Sequence, residues 1–209
     1  MNCPLCNNQS TLFYSDKKRV YHLCDNCSAI FMNKNFILNK TKEKERYENH
    51  NNDINDIGYQ NFVSPITEAI LKDFNSDNSI GLDFGAGKGP VATKILEKSN
   101  FNIKLYDPFF HNNSELLKKK YNFIILSEVM EHFNNPYKEF DLLKKLLLPN
   151  GKIYCMTSLY NKNINFKNWY YKNDSTHVFI YQNKTIEWIK NHFDFSKVKI
   201  QKKLIIFYN

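Results

Sequence analysis

Four cysteines open the chain in two closely spaced pairs, Cys3-Pro-Leu-Cys6 and Cys24-Asp-Asn-Cys27, with residues 7–23 between them. A two-residue gap lets both thiolates of a pair face one ion, and the separation between the pairs is that of a zinc ribbon. Four thiolates leave no open coordination position, so Cys3, Cys6, Cys24 and Cys27 would hold a structural rather than a catalytic zinc. Disulfides or a redox dithiol are the competing readings, and a reducing compartment disfavours disulfides. The fifth cysteine, Cys155, stands in the apolar run Ile153-Tyr154-Cys155-Met156 and reads as a buried, inert thiol.

A second set of residues suits a nucleotide. The segment Leu82-Asp83-Phe84-Gly85-Ala86-Gly87-Lys88-Gly89 is followed, 22 residues after Gly85, by Asp107. Glycines let the backbone turn sharply and approach a ligand. An acidic residue at the end of the next strand can accept both hydroxyls of a ribose. A dinucleotide site wants G-x-G-x-x-G, whereas Gly89 comes one residue early and Pro90 follows it. Asp83, two residues before the first glycine, is a poor neighbour for a pyrophosphate and a good one for a cation.

A third set could act on an acceptor. In Ser127-Glu128-Val129-Met130-Glu131-His132, one helical turn would place Glu128, Glu131 and His132 on one face. They could hold a divalent ion, with His177 as a fourth ligand; without metal, His132 could act as a base or simply pack. The string Trp169-Tyr170-Tyr171-Lys172-Asn173-Asp174-Ser175-Thr176-His177-Val178 concentrates aromatic rings, a carboxylate and an imidazole. Tyr47, His50 and Asn51 stand in a polar stretch that reads either as a solvated connector or as a flap over a site.

The elements that must position these residues follow from periodicity. Strand-like runs at Ser10–Tyr14 and Val20–Leu23 form a hairpin that brings the second cysteine pair to the first. From Ser64 onward, helix and strand patterns alternate. Helices are expected at Pro65–Phe74, Val91–Lys98, Ser114–Tyr121, from Pro136, and at Thr185–His192. Strands are expected at Ile80–Phe84, Asn102–Tyr106, Phe123–Ser127, Lys152–Thr157 (after a Pro149-Asn150-Gly151 turn), Val198–Gln201 and Leu204–Phe207. Such alternation implies an α/β fold, a doubly wound and mainly parallel sheet with ligands at the carboxyl ends of its strands. The organisation reads as a zinc ribbon at 1–33, a connector at 34–63 and the α/β domain at 64–209.

Composition bounds the class. The chain has 209 residues, is 42% hydrophobic and 15% aromatic, and carries a net charge of +8. That apolar content excludes wholesale disorder. No apolar run approaches the ~20 residues that span a bilayer, and the first residues show no signal-peptide pattern, so the expected location is cytoplasmic. The charge invites a polyanion partner, but only Arg19 and Arg46 are arginine and the lysines are scattered.

The Asp83-x-Gly85-x-Gly87-x-Gly89 pattern resembles motif I of the class I S-adenosylmethionine-dependent methyltransferases. The resemblance covers about residues 60–209 and extends to Asp107 as ribose-binding residue, to the post-strand-four segment Ser127–Phe133 and to the turn Leu148–Gly151 before strand five. It implies S-adenosylmethionine as cofactor, held by Asp83, Gly85, Ala86, Gly87, Gly89, Asp107, Pro108, Phe109 and Glu128. One departure stands out: about twenty residues separate Asp107 from Glu128, so strand three is missing or reduced, and Phe109 is expected to stack on the adenine instead. E-x-x-E-H is similar to a metal-binding string in small-RNA 2′-O-methyltransferases and ubiquinone-biosynthesis O-methyltransferases, though it also occurs in this fold without metal. With the cysteine pairs, the chain looks like bacterial zinc-ribbon methyltransferases. Catalytic candidates are His132, His177, Glu131 and Asp174; substrate contacts are expected from Tyr47, His50, Asn51, Trp169 and Tyr170. The expected acceptor is a small polar, phenolic or sugar-like molecule. An RNA methyltransferase using the ribbon as grip, and a non-enzymatic adaptor or cofactor sensor, are the alternatives.

Overall fold

The computed structural model describes residues 1–49 and 53–209. Two sheets organise them. The larger is built from β4 (Ile80–Phe84), β5 (Asn102–Tyr106), β6 (Tyr121–Ser127), β7 (Leu147–Met156), β9 (Lys197–Gln201) and β10 (Leu204–Tyr208), in the order β5-β4-β6-β7-β10-β9. Strands β4 to β7 run parallel, and β10 joins β7 and β9 antiparallel. Between Asp107 and Tyr121 there is one bridge, Asp107 to His111, and a 3-10 segment at Ser114–Lys118. The expected loss of a third strand is therefore what the sheet shows, while the helix expected at Ser114–Tyr121 is only this short turn.

Period-two alternation explains why helices cover both faces. Phe123 and Ile125 of β6, Tyr154 and Met156 of β7, and Ile206 of β10 point to one face, with Ile66 and Ile70 of α2 (Ile57–Asp73) and Leu96 of α3 (Val91–Glu97). Ile124, Leu126, Ile153, Cys155, Ile205 and Phe207 point to the other. There they meet Phe140 and Leu143 of α4 (Pro136–Leu146), and Ile186 and Ile189 of α5 (Asn183–His192). Burying consecutive residues on both faces is what a parallel strand needs to exclude water. Cys155 is fully buried, with a thiol pKa pushed well up by burial.

The smaller sheet has the order β1-β2-β3-β8: β1 (Ser10–Ser15), β2 (Val20–Cys24), β3 (Ile30–Met32) and β8 (Phe179–Ile180). Its last strand comes from far along the chain, pairing Ile30 with Ile180 and Phe31 with Phe179. Cys3, Leu5, Tyr21, Cys24, Cys27 and Phe31 belong to the same apolar cluster as Phe140 and Phe207. A polar segment with α1 (Lys40–Glu48), capped by the Asn39 side chain, connects the ribbon to α2.

Three local expectations change. Helix α2 begins at Ile57, where the Asp56 carboxylate accepts from the amides of Gly58 and Tyr59, and runs on through Pro65. Pro65 cannot donate to the Asn61 carbonyl, but both residues lie exposed to solvent, so that carbonyl is not buried. Residues 149–151 lie inside β7 rather than before it, with the register irregularity falling between Tyr121 and Phe123 of the neighbouring strand. The helical turn expected over Glu128–His132 shrinks to a 3-10 segment at Met130–His132, with Glu128 in a left-handed conformation (φ 53°) outside it. No helix among the described residues is long and apolar enough to cross a membrane.

Candidate functional site

The glycine segment leaves β4 and folds back over β5. Gly85 (φ +80°) and Gly87 (φ +61°) take backbone conformations that L side chains rarely adopt. The amides of Gly85 and Ala86 donate to the Tyr106 carbonyl, at 2.8 and 3.2 Å. Gly87 donates to Asp107 Oδ2 at 3.0 Å, and Asp107 Oδ1 accepts from the amides of Phe109 (2.8 Å) and Phe110 (3.1 Å). Asp107 thus ties the ends of β4 and β5 into one rim. Asp83 lies buried at the carboxyl end of β4, with Thr93 Oγ1 donating to its Oδ2 at 2.7 Å. Burial raises its pKa to about 6, and Asp107 adds to the rise, which a cationic ligand would reverse.

A cavity of about 800 Å³ opens over these strand ends, within the size range of small-molecule sites. Its wall carries Asp83, Gly85, Ala86, Gly87, Gly89, Asp107, Pro108 and Phe109 on one side, Tyr47, His132 and His177 on the other, and Glu128. Helix α1 lies across it: the Tyr47 ring sits 5.7 Å from Phe109 and 5.4 Å, edge-on, from His132. Arg46 Nη2 donates to Asp174 Oδ2 at 2.7 Å and fastens the helix to the opposite loop. His50 and Asn51 lie outside the described residues.

On the second side, both imidazoles are oriented by backbone. Nδ1 of His132 donates to the Thr176 carbonyl at 2.9 Å, and Nδ1 of His177 to the Tyr171 carbonyl at 2.8 Å, when those nitrogens carry the proton. The two rings lie 4.9 Å apart. Burial lowers the His132 pKa, which favours the neutral ring. Glu131 is fully buried beneath them, accepting from the Tyr171 hydroxyl, which also bonds Thr157 Oγ1 at 2.7 Å. Burial pushes Glu131 to about 7 and Glu128 to about 8, the neighbouring Glu131 adding to the second. Glu128 Oε1 and Glu131 Oε2 have no hydrogen-bond partner among the described residues.

The expected site residues divide by placement. Those expected at the cofactor all line the cavity. Glu131, His132 and His177 bring ligand atoms within 4.8 Å of one another, and Glu128 is not in that set. Asp174 is a structural anchor: against the upward pull of burial, Thr176 and Arg46 hold its carboxyl well below the usual range. Trp169 packs on Tyr160 and Phe166, and Tyr170 is 65% exposed; neither lines the cavity. Of that string, His177 lines the cavity, and Tyr171, which the string's composition does not single out, supports the site through its hydroxyl on buried Glu131.

The four ribbon cysteines fit a metal. All are free thiols whose sulfur atoms lie within 4.8 Å of one another. Cys3 to Cys27 is 3.7 Å and Cys6 to Cys24 is 3.3 Å, near the ~3.8 Å edge of a zinc–thiolate tetrahedron. Hydrogen bonding from Cys27 brings the Cys3 pKa down to about 6, favouring a thiolate.

The strand order, the Asp83–Asp107 rim and the cavity over it define the class I S-adenosylmethionine-dependent methyltransferase fold. A family model described as a methyltransferase domain matches residues 57–200, and the chain belongs to that family. No curated protein matches it in sequence. Among solved structures it is similar to human N-acetylserotonin methyltransferase in complex with S-adenosylmethionine (TM-score 0.53, 13% identity, 72% of this chain and 53% of that one). It is also similar to Burkholderia thailandensis 1,6-didemethyltoxoflavin-N1-methyltransferase with bound 1,6-didemethyltoxoflavin and S-adenosylhomocysteine (TM-score 0.56, 12% identity, 95% and 98%). At these identities the likeness is one of fold. The chain spans about half the length of the human enzyme.

Proposed function

We propose that the chain transfers the methyl group of S-adenosylmethionine to an oxygen, nitrogen or carbon nucleophile of a small polar or phenolic acceptor. The observation that carries this is the single cavity joining the Asp83–Gly87–Asp107 rim to His132 and His177. S-Adenosylmethionine, when bound, supplies an electrophilic methyl carbon with a neutral leaving group, so no general acid is required for departure. Asp107 receives the ribose, Phe109 the adenine face, and Asp83 with Glu128 favours the cationic portion. His132, neutral and with Nδ1 committed to Thr176, presents Nε2 as the proton acceptor for the nucleophile. Alignment of nucleophile and methyl carbon supplies the remainder of the rate.

Coverage of the acceptor end by α1 favours a small molecule over RNA. N-acetylserotonin and 1,6-didemethyltoxoflavin, named for the structural neighbours, are themselves small molecules. The test is calorimetric titration of S-adenosylhomocysteine, followed by a labelled-methyl screen of small acceptors beside total RNA. Failure of S-adenosylhomocysteine to bind would sink the proposal; labelling confined to RNA would replace its acceptor.

A second reading places a divalent ion among Glu131, His132 and His177, whose ligand atoms converge. There it would polarise an acceptor hydroxyl. Metal analysis separates the two readings. One zinc per chain, unchanged in His132→Ala, leaves the metal-free base; a second equivalent lost in that variant supports the ion.

A further inference from the structure

The ribbon and the acceptor end of the cavity share hydrogen bonds, whereas the cofactor end is tied elsewhere. Val178 is held from both sides: its carbonyl accepts from the Met32 amide of the ribbon at 2.8 Å, and its amide donates to the Glu131 carbonyl at 3.0 Å. The hydroxyl of Tyr21, a fully buried β2 residue, donates to the His177 carbonyl at 3.4 Å. Arg19 Nη2 donates to the Asn173 carbonyl at 2.6 Å, and the Gln182 side chain donates to the Ser28 carbonyl, one residue past Cys27. Phe166 lies edge-on to Phe13, Tyr14 and Tyr21. The segment carrying Tyr171, Asp174, Thr176 and His177 is therefore laid on the ribbon sheet and closed by β8. The rim hydrogen bonds of Asp83, Gly85, Gly87 and Asp107 run instead to Thr93, Tyr106, Phe109 and Phe110.

We infer that the ribbon is the positioning element of the acceptor half of the site, with Tyr21 and β3 setting where His177 stands. Ligation of Cys3, Cys6, Cys24 and Cys27 then governs acceptor chemistry without governing cofactor affinity. The physical reason is the size of the ribbon. Its own strands are three to six residues long, and a segment that small takes its folding free energy from the metal. When that free energy is withdrawn, the partner of β8 loosens, and the loop from Asn173 to Ile180 loosens with it. The catalytic consequence rests on the methyltransferase reading; the mechanical one does not.

The test uses the full chain, zinc-loaded and then stripped by a chelator under reducing conditions, with hydrogen exchange followed residue by residue. Stripping is expected to accelerate exchange of the Met32 and Val178 amides by about tenfold or more. The Gly87 amide and the S-adenosylhomocysteine affinity should stay within about twofold of the loaded protein. A Tyr21→Phe variant keeps its zinc and, having lost the bond to the His177 carbonyl, should move the His177 and Val178 backbone NMR shifts at fixed pH. It should also lower kcat with cofactor affinity intact. Unchanged exchange at Val178 after stripping would overturn the inference. So would a Tyr21→Phe variant whose His177 and Val178 shifts are unmoved, and this variant decides the matter if stripping unfolds the whole chain. If the loaded protein does not bind S-adenosylhomocysteine, the methyltransferase reading fails, while the exchange pattern and the His177 and Val178 shifts still judge the coupling.

Discussion

Asp107 accepts three backbone amides at once and keeps one lone pair, on Oδ2, for a ligand, which joins two roles in one side chain. Asp107→Ala should weaken S-adenosylhomocysteine binding by ~10–100-fold, the scale of one or two charge-assisted hydrogen bonds; calorimetry checks this. Phe109→Ala should weaken it less, and unchanged affinity would remove the stacking role. His132→Ala should lower kcat by ~100-fold or more with cofactor affinity unchanged, as expected for a lost general base. That Asp83, Gly85, Gly87 and Asp107 meet at one cavity was readable in the sequence, because local spacing around two strand ends brings them together. Tyr171 was not, because its role depends on Glu131 and Thr157, which meet it only in three dimensions.

Strand β4 shows what an element must concede to place a loop. Gly81 faces Phe123, and a Cβ there would meet the ring at 2.3 Å. Gly81→Ala should cost ~1–3 kcal/mol through overpacking, read as a Tm lower by roughly 5 °C. Gly85→Ala faces both a positive φ and a Val129 methyl at 2.6 Å, so it should lose cofactor binding along with stability. Arg46→Ala releases α1 from Asp174; because Arg46 is partly exposed, the expected effect is modest, a rise in acceptor KM of up to about fivefold with kcat retained. Helix type and position were legible wherever a 3.6-residue pattern ran long, as in α4. They were misread at Ser114–Lys118, where the short link from β5 to β6 leaves room for only a 3-10 turn.

Across the molecule, three buried carboxyls share the cavity end of the sheet: Asp83, Glu131 and Glu128, raised to about 6, 7 and 8. Raised carboxyls favour folding while protonated, so this contribution is present below pH ~4 and is lost as pH rises through 6 to 8. The ligand-free Tm should therefore fall over that range; Glu128→Gln should flatten the upper part of the fall, and S-adenosylmethionine should restore stability at pH 8. Thermal scans from pH 5.5 to 8.5 check all three. The sequence by itself determined the parallel α/β fold, the glycine-and-carboxylate rim at the strand ends and the four-cysteine cluster, because periodicity and short motif spacings act through neighbours along the chain. Only the tertiary structure decided that β8 completes the ribbon sheet, that Tyr171 rather than Tyr170 bonds buried Glu131, and that the ligand atoms of Glu131, His132 and His177 converge without Glu128. The first two join residues far apart in sequence, Ile30 with Ile180 and Glu131 with Tyr171, and the third follows from the left-handed backbone at Glu128; strand pairing, burial and that conformation are not encoded in local spacing.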